Sequence, residues 1–176
     1  MSETSGGYLL ANGLIRVVVD TSGLVTSVYD IAADREVLAG PANLLQLHPD
    51  FPNMWDAWDV DSFYRNSVTD LTTVDSVVLE VKEPDRVAVR INRSFGRSTV
   101  SQLVALRAGS MCVDIDTDVD WHETEKFLKL AFPLDVRAER SAAEIQFGHV
   151  YRPTHTNTSW DAAKFEICAH RWLHLA

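Results

Sequence analysis

Between residues 75 and 95 the chain reads "DSVVLEVKEPDRVAVRINRSF", and its apolar positions recur every second residue. Val77, Leu79 and Val81 alternate, "EPDR" interrupts, and Val87, Val89 and Ile91 alternate back. Side chains that switch faces at every residue suit a strand with one buried and one solvated side, and they exclude an amphipathic helix, whose period is 3.6. Pro84 presets the φ of a turn, so the stretch predicts a hairpin.

The same form recurs along the chain. "GLIRVVVD" runs into "DTSG", where Gly23 can take a positive φ, and "LVTSVYD" returns. "STVSQLVALRAGSMCVDIDTDVDW" predicts a third hairpin turning at "RAGS". Further strands are expected at "FLKLAFPLDV", "AEIQFGHVYR" and "KFEICAHRWLHL", which carry β-branched and aromatic residues without helix caps. Many antiparallel strands with closely spaced turns predict an all-β fold, an antiparallel β-sandwich treated as a single domain over residues 1–176. Its one long irregular loop is "HPDFPNMWDAWDVDSFYRNS". The chain stops at "HRWLHLA", inside an expected strand, which suggests a piece of something longer.

With 176 residues and 46% hydrophobic content the chain can bury a real core. A formal charge of -9 leaves no basic surface to neutralise phosphates, so neither nucleic acid nor an anionic membrane is an expected partner. No apolar run approaches the roughly 18 residues of a membrane helix, and "MSETSGGYLL" lacks a signal peptide's basic start. Cys112 and Cys168 form no C-x-x-C pair and read as buried thiols in a reducing compartment, which points to the cytoplasm.

Three groups of residues invite a chemical reading. His149, His155, His170 and His174 crowd the C-terminal stretch, but His170 and His174 on one strand face would stand about 13 Å apart, too far to share an ion. No metal site is expected in this chain. "DIDTDVD" puts Asp114, Asp116, Asp118 and Asp120 on one strand face without the glycine or the bidentate glutamate of a calcium loop. A solvated acidic face is expected instead, paired across strands with Arg86, Arg90 or Arg107. The long loop concentrates Trp55, Asp56, Trp58, Asp59, Asp61 and Tyr64. An indole face can cover the C–H surface of a sugar while carboxylates accept its hydroxyls, so this loop is a candidate carbohydrate contact. Equally, the rings could plug the end of the sandwich while the carboxylates satisfy turn amides.

"WDAWDVDSFY", "VDWHETEKFLKLAFPLDV" and "EIQFGHVYRPTHTNTSWDAAKFEICAHRW" together resemble the C-terminal β-rich region of family 38 of the glycoside hydrolases, the α-mannosidases, in its cytosolic and bacterial branch. The resemblance runs from about Tyr8 to the end. It implies part of a supersandwich like that of galactose mutarotases, and a parent enzyme that cleaves terminal α-linked mannose with retention, using zinc and an Asp nucleophile in an N-terminal catalytic barrel. No residue of this chain is matched to the family's nucleophile, acid or zinc ligands, so the chain alone is expected to be inactive, with no catalytic residue and no cofactor of its own. The expected partners are the N-terminal catalytic domain of the same polypeptide and a mannoside substrate, with Trp58, Asp59 and Asp61 as the substrate-binding residues of a rim loop. Exposed edge strands leave a homo-oligomer open. Arg152, His155, Asn157 and Asp161 are expected to pin a crossover loop.

Two alternatives stand beside this. One is a free-standing, lectin-like carbohydrate-binding sandwich centred on the same loop. The other is a mutarotase-like enzyme using His155 or His170 with Glu144 or Glu166 as acid and base.

Overall fold

The computed structural model describes residues 2–4, 6–56 and 58–175; Ala57 of the tryptophan loop lies outside them. Fifteen strands are found among these residues: β1 (Ser2–Thr4), β2 (Gly7–Ala11), β3 (Ile15–Asp20), β4 (Val25–Asp30), β5 (Arg35–Glu36), β6 (Leu44–Pro49), β7 (Thr69–Asp70), β8 (Ser76–Lys82), β9 (Arg86–Phe95), β10 (Ser98–Arg107), β11 (Val113–Asp120), β12 (Lys126–Ala131), β13 (Arg140–Ile145), β14 (Gly148–Pro153) and β15 (Leu173–Leu175). The helical pieces are a 3-10 turn at Ser62–Asn66 and α1 at Ser159–Ala163. The all-β, antiparallel reading therefore stands. The chain gathers into two compact units, Met1–Leu134 and Asp135–Ala176.

In the first unit, the sheet β1-β2-β3-β4-β5 and the sheet β11-β10-β9-β8 enclose the core, and a third sheet orders as β12-β6-β7. The three expected hairpins are present. Asp20 closes the first, its Oδ1 accepting the Ser22 and Leu24 amides (both 2.9 Å) while Gly23 turns at φ 68°. Pairing of β10 with β9 sets Val104 opposite Val89 and Leu106 opposite Val87, and these side chains meet Leu10, Ile15, Val17 and Val19 from the facing sheet. Each fully buried aliphatic side chain there contributes about 1.5–3 kcal/mol over leaving it in water.

Where Gln102 and Arg93 interrupt this apolar face, they build a polar seam. Gln102 Nε2 donates to Asn43 Oδ1 (2.8 Å), Arg93 Nη1 to Gln102 Oε1 (3.3 Å) and Arg93 Nη2 to the Ser22 carbonyl (2.6 Å). Burial without an ion-pair carboxylate lowers the guanidinium's pKa, with the Asp20 charge partly opposing the shift. On the outer face of the same sheet the acidic row behaves largely as expected: Arg86 lies 3.8 Å from Asp116 and Arg107 3.0 Å from Asp114. Arg90 turns the other way, clamping Glu80 with two bonds of 2.6 Å.

The second unit is a three-stranded sheet, β14-β13-β15, with α1 between β14 and β15. Here two strand expectations fail. "AEIQFGHVYR" is a hairpin, because Phe147 takes φ 65° and Gly148 follows it, reversing the chain within an apparently continuous strand. Of "KFEICAHRWLHL" only Leu173–Leu175 is a strand. Upstream, Thr158 caps α1 by accepting the Asp161 amide, and the residues between α1 and β15 follow an irregular path. Cys112 and Cys168 are also corrected: both are exposed, the first just after the Gly109 turn and the second in that irregular path. Among the described residues no helix is long and apolar enough to cross a membrane.

Candidate functional site

The tryptophan loop leaves β6 at Pro49 and rejoins regular structure at Ser62–Asn66. Both ends are fastened. At the C-terminal end Tyr64 is buried, 6% exposed, against the third sheet. Lys129 of β12 donates to its hydroxyl (2.8 Å), and its ring meets Phe127 edge-on at 5.3 Å and His48 of β6 at 4.9 Å. His48 Nδ1 lies 3.2 Å from the Tyr64 carbonyl and 2.9 Å from that of Ser67. Two carbonyls can only accept, so Nδ1 carries the proton. At the other end the Asp61 carboxylate accepts the Asn53 amide (2.6 Å), closing the loop across eight residues of sequence.

Between these fastenings the chain makes a tight turn. Trp55 adopts φ 67°, and its carbonyl accepts the amides of both Trp58 (2.7 Å) and Asp59 (2.9 Å). A β-branched or bulky residue at positive φ is a strained choice, sustained here by those two bonds. The turn carries Trp58 outward to 91% exposure and Trp55 to 68%. Asp59 is exposed, and its Oδ1 accepts the next amide, Val60, at 3.0 Å.

The three predicted residues therefore divide. Trp58 and Asp59 form a protruding indole and carboxylate, able to cover an apolar ligand face and accept its hydroxyl protons. Asp61 is half-buried, fixes the loop, and lines a small hollow of about 120 Å³ with Phe51, Phe63 and Tyr64. Tyr64 is the residue whose part the sequence reading did not assign. Its signal lay in the facing aromatic and basic alternation of "KFLKLA", which meets it only through sheet pairing.

The histidines of the second unit do not converge. His155 Nδ1 lies 3.6 Å from Asp161, His170 Nε2 lies 3.2 Å from the Gln146 side chain, His149 sits edge-on to Tyr151, and His174 pairs with Ala142. Among the described residues no three His, Cys, Asp or Glu side chains are grouped so that they could hold one metal ion. Glu144 is engaged chiefly by an arginine, with the His170 charge a lesser influence on its carboxyl. Arg171 binds its carboxylate through Nε (2.8 Å), through its own backbone amide (2.8 Å) and through Nη2, and holds the carboxyl below the usual glutamate range. The crossover at 152–161 is pinned mainly by threonines: the Thr154 hydroxyl bonds the Ala138 carbonyl, and the Thr158 hydroxyl donates to Asp161 Oδ2 (2.7 Å).

Comparison with known proteins now bears on this arrangement. A family model described as the glycosyl hydrolases family 38 C-terminal domain matches residues 10–176. The mouse and human proteins named alpha-mannosidase 2C1 are 41% and 42% identical over 183 aligned residues, and alpha-mannosidase G of Dictyostelium discoideum is 33% identical. The alignments with the mouse and human proteins take in 100% of this chain and 17% of those relatives, so the chain spans about a sixth of their length. A crystal structure of an alpha-mannosidase from Enterococcus faecalis shares the fold, with a TM-score of 0.65 at 14% identity over 87% of this chain and 20% of that one. With a domain model matched along nearly its whole length, this chain belongs to the glycosyl hydrolases family 38 C-terminal domain family.

Proposed function

We propose that this chain is a non-catalytic β-domain of a cytoplasmic, zinc-dependent, retaining α-mannosidase, which supports the catalytic domain of the same polypeptide and lends it a rim loop. The observation that carries the reading is the family match over residues 10–176 of this chain, together with its similarity to relatives named as α-mannosidases. Zinc belongs, on this reading, to the catalytic domain, where it would bind and polarise the mannoside. Retention needs two carboxyl groups about 5–5.5 Å apart across the sugar, and those also belong there.

The chain's own residues serve binding. Trp58 would lie against the apolar C–H face of a mannose unit, and the Asp59 carboxylate would accept its hydroxyl hydrogen bonds. Asp61 and Tyr64 hold the loop in register for that contact. Support for a docking role comes from an apolar groove of about 370 Å³ at the sandwich margin, lined by Val28, Leu38, Val113, Ile115, Phe132 and Leu134 among others. An exposed hollow of this composition is covered at little cost by a partner surface.

The test is hydrolysis of a chromogenic α-mannoside with added zinc, by this chain alone and by the chain co-expressed with the catalytic domain. Activity confined to the combined sample, and weakened there by Trp58→Ala, is the expected result. Turnover by the isolated chain, or a combined activity indifferent to the chain's presence, overturns the proposal.

A further inference from the structure

In the second unit, pairing of β13 with β14 and β15 puts Arg140 opposite Pro153, Ala142 opposite both Tyr151 and His174, and Glu144 opposite His149. Side chains paired in this way share one face of the sheet. Ala142 is the small residue at the centre, and the floor sinks there between Tyr151 and His174. Two hollows open on this face, of about 460 and 660 Å³, and they adjoin along Glu139, Arg140 and Tyr151, which line both; together they form a trough. Volumes of a few hundred cubic ångströms suit a small organic ligand.

Tyr151 lines both hollows. Its ring is held from behind by His149, edge-on with centroids 4.9 Å apart at 89°, and Trp172 stands 5.9 Å from His149 in turn. Tyr151 is nonetheless 61% exposed. Around it stand donors and acceptors of both kinds: Arg140 and Asn157 can donate, Glu139 and Asp161 can accept. Asp161 is preset, since its Oδ2 takes the Thr158 hydroxyl at 2.7 Å and its side chain is only 15% exposed.

We propose that this trough, lined by residues of the second unit alone, binds a neutral oligosaccharide. A held aromatic ring offers the apolar patch that a pyranose needs, and mixed donors and acceptors match hydroxyls that do both. Glu139 and Asp161 offset Arg137 and Arg140 on the lining, so no excess of cationic side chains favours a phosphorylated ligand over a neutral one, and the chain's formal charge of -9 weighs further against an anion. An apolar peptide anchor finds no enclosed apolar pocket among these lining residues.

The experiment is a titration of the 15N-labelled full chain with an α-linked mannotriose, read by backbone amide shifts. Saturable shifts at Tyr151, Asn157 and Asp161 are expected, with affinity reduced about tenfold in Tyr151→Ala, the worth of one aromatic contact. Asn157→Ala, at an exposed loop position, should weaken binding in the same direction. Absence of saturable shifts at the three amides, or equal affinity in both trough variants and the parent chain, overturns the proposal. Mannoside hydrolysis by the assembled enzyme reads the supporting role and this titration reads the trough, so failure of either is separable from failure of the other.

Discussion

Gly23→Ala should destabilise the first unit far more than Gly109→Ala, although the two glycines have nearly the same backbone, φ 68° and 70°. Any L-residue at such a φ costs about 1–2 kcal/mol, and the stiffer unfolded chain returns up to about 1 kcal/mol; both terms are common to the two variants. Space is what differs. A Cβ on Gly109 meets nothing within 4 Å, whereas on Gly23 it comes to 2.5 Å from Ile91 Cγ2 and 2.9 Å from Arg93 Nη2. Both are buried and fixed, Ile91 in the core and Arg93 by its bonds to Ser22 and Gln102, so neither can step aside cheaply. Overpacking of this kind costs about 1–3 kcal/mol. With a urea slope of about 2–3 kcal/mol per molar, the Gly23 variant should unfold roughly 0.3–1.5 M earlier than the Gly109 variant at unchanged slope. Far-UV circular dichroism in urea measures this. Equal midpoints for the two variants would refute the argument that the first turn is closed by core contact.

Acid should remove a specific increment through Glu36. Burial raises its pKa, but the Ser27 hydroxyl and the Leu38, Val28 and Val37 amides outweigh that and bring it below the ordinary 4.5. A lowered folded-state pKa stabilises above the unfolded value and is lost as pH falls through the folded one, so the stability gap between the parent chain and Glu36→Gln should narrow below about pH 4.5. Urea midpoints taken across that range check the sign; a gap that widens on acidification contradicts it. Trp58→Ala should change stability by less than about 0.5 kcal/mol, as expected of a ring 91% exposed, while raising KM of the assembled enzyme with kcat little changed. Asp61→Ala should loosen the loop, seen as faster hydrogen exchange at the Asn53 amide that it now accepts at 2.6 Å, whereas Asp59→Ala should leave that amide protected.

The hairpins were legible because period two and turn chemistry agree at Gly23, Pro84 and Gly109, each between alternating runs that bury one side. Legibility failed where a turn lacked its usual residues. Phe147 holds φ 65° in "IQFGHV" with glycine one position late, so alternation ran through the reversal unbroken. The segment "KFEICAHRW" carries strand composition, yet Glu144 accepts both the backbone amide and the guanidinium of Arg171, which ties that backbone to a carboxylate where a strand ladder was expected. Such a tertiary bond leaves no mark on local pattern. In the tryptophan loop, composition identified the residues but could not divide them. Asp59 and Asp61 read alike in sequence, and only closure onto Asn53 makes one a fastener and leaves the other exposed.

That division carries the functional reading of the loop. A segment used only to plug a sandwich would turn its indoles inward and leave its ends loose, because burial of the rings would supply the stability. Here the arrangement is inverted. The inward ring is Tyr64, held by Lys129, Phe127 and His48, and the closing carboxylate is Asp61. Trp55 and Trp58 receive none of that burial, and Trp55 bears a strained φ that lifts Trp58 off the surface. Strain and solvent-exposed indole both raise the free energy of the isolated chain; an apolar surface that covers the ring relieves the exposure and can offset the strain. A sugar face or a neighbouring domain would do this equally well. The two separate by the dependence of KM on Trp58: covering by substrate makes KM rise on truncation, while covering by the domain alone weakens assembly and leaves KM of the assembled enzyme where it was.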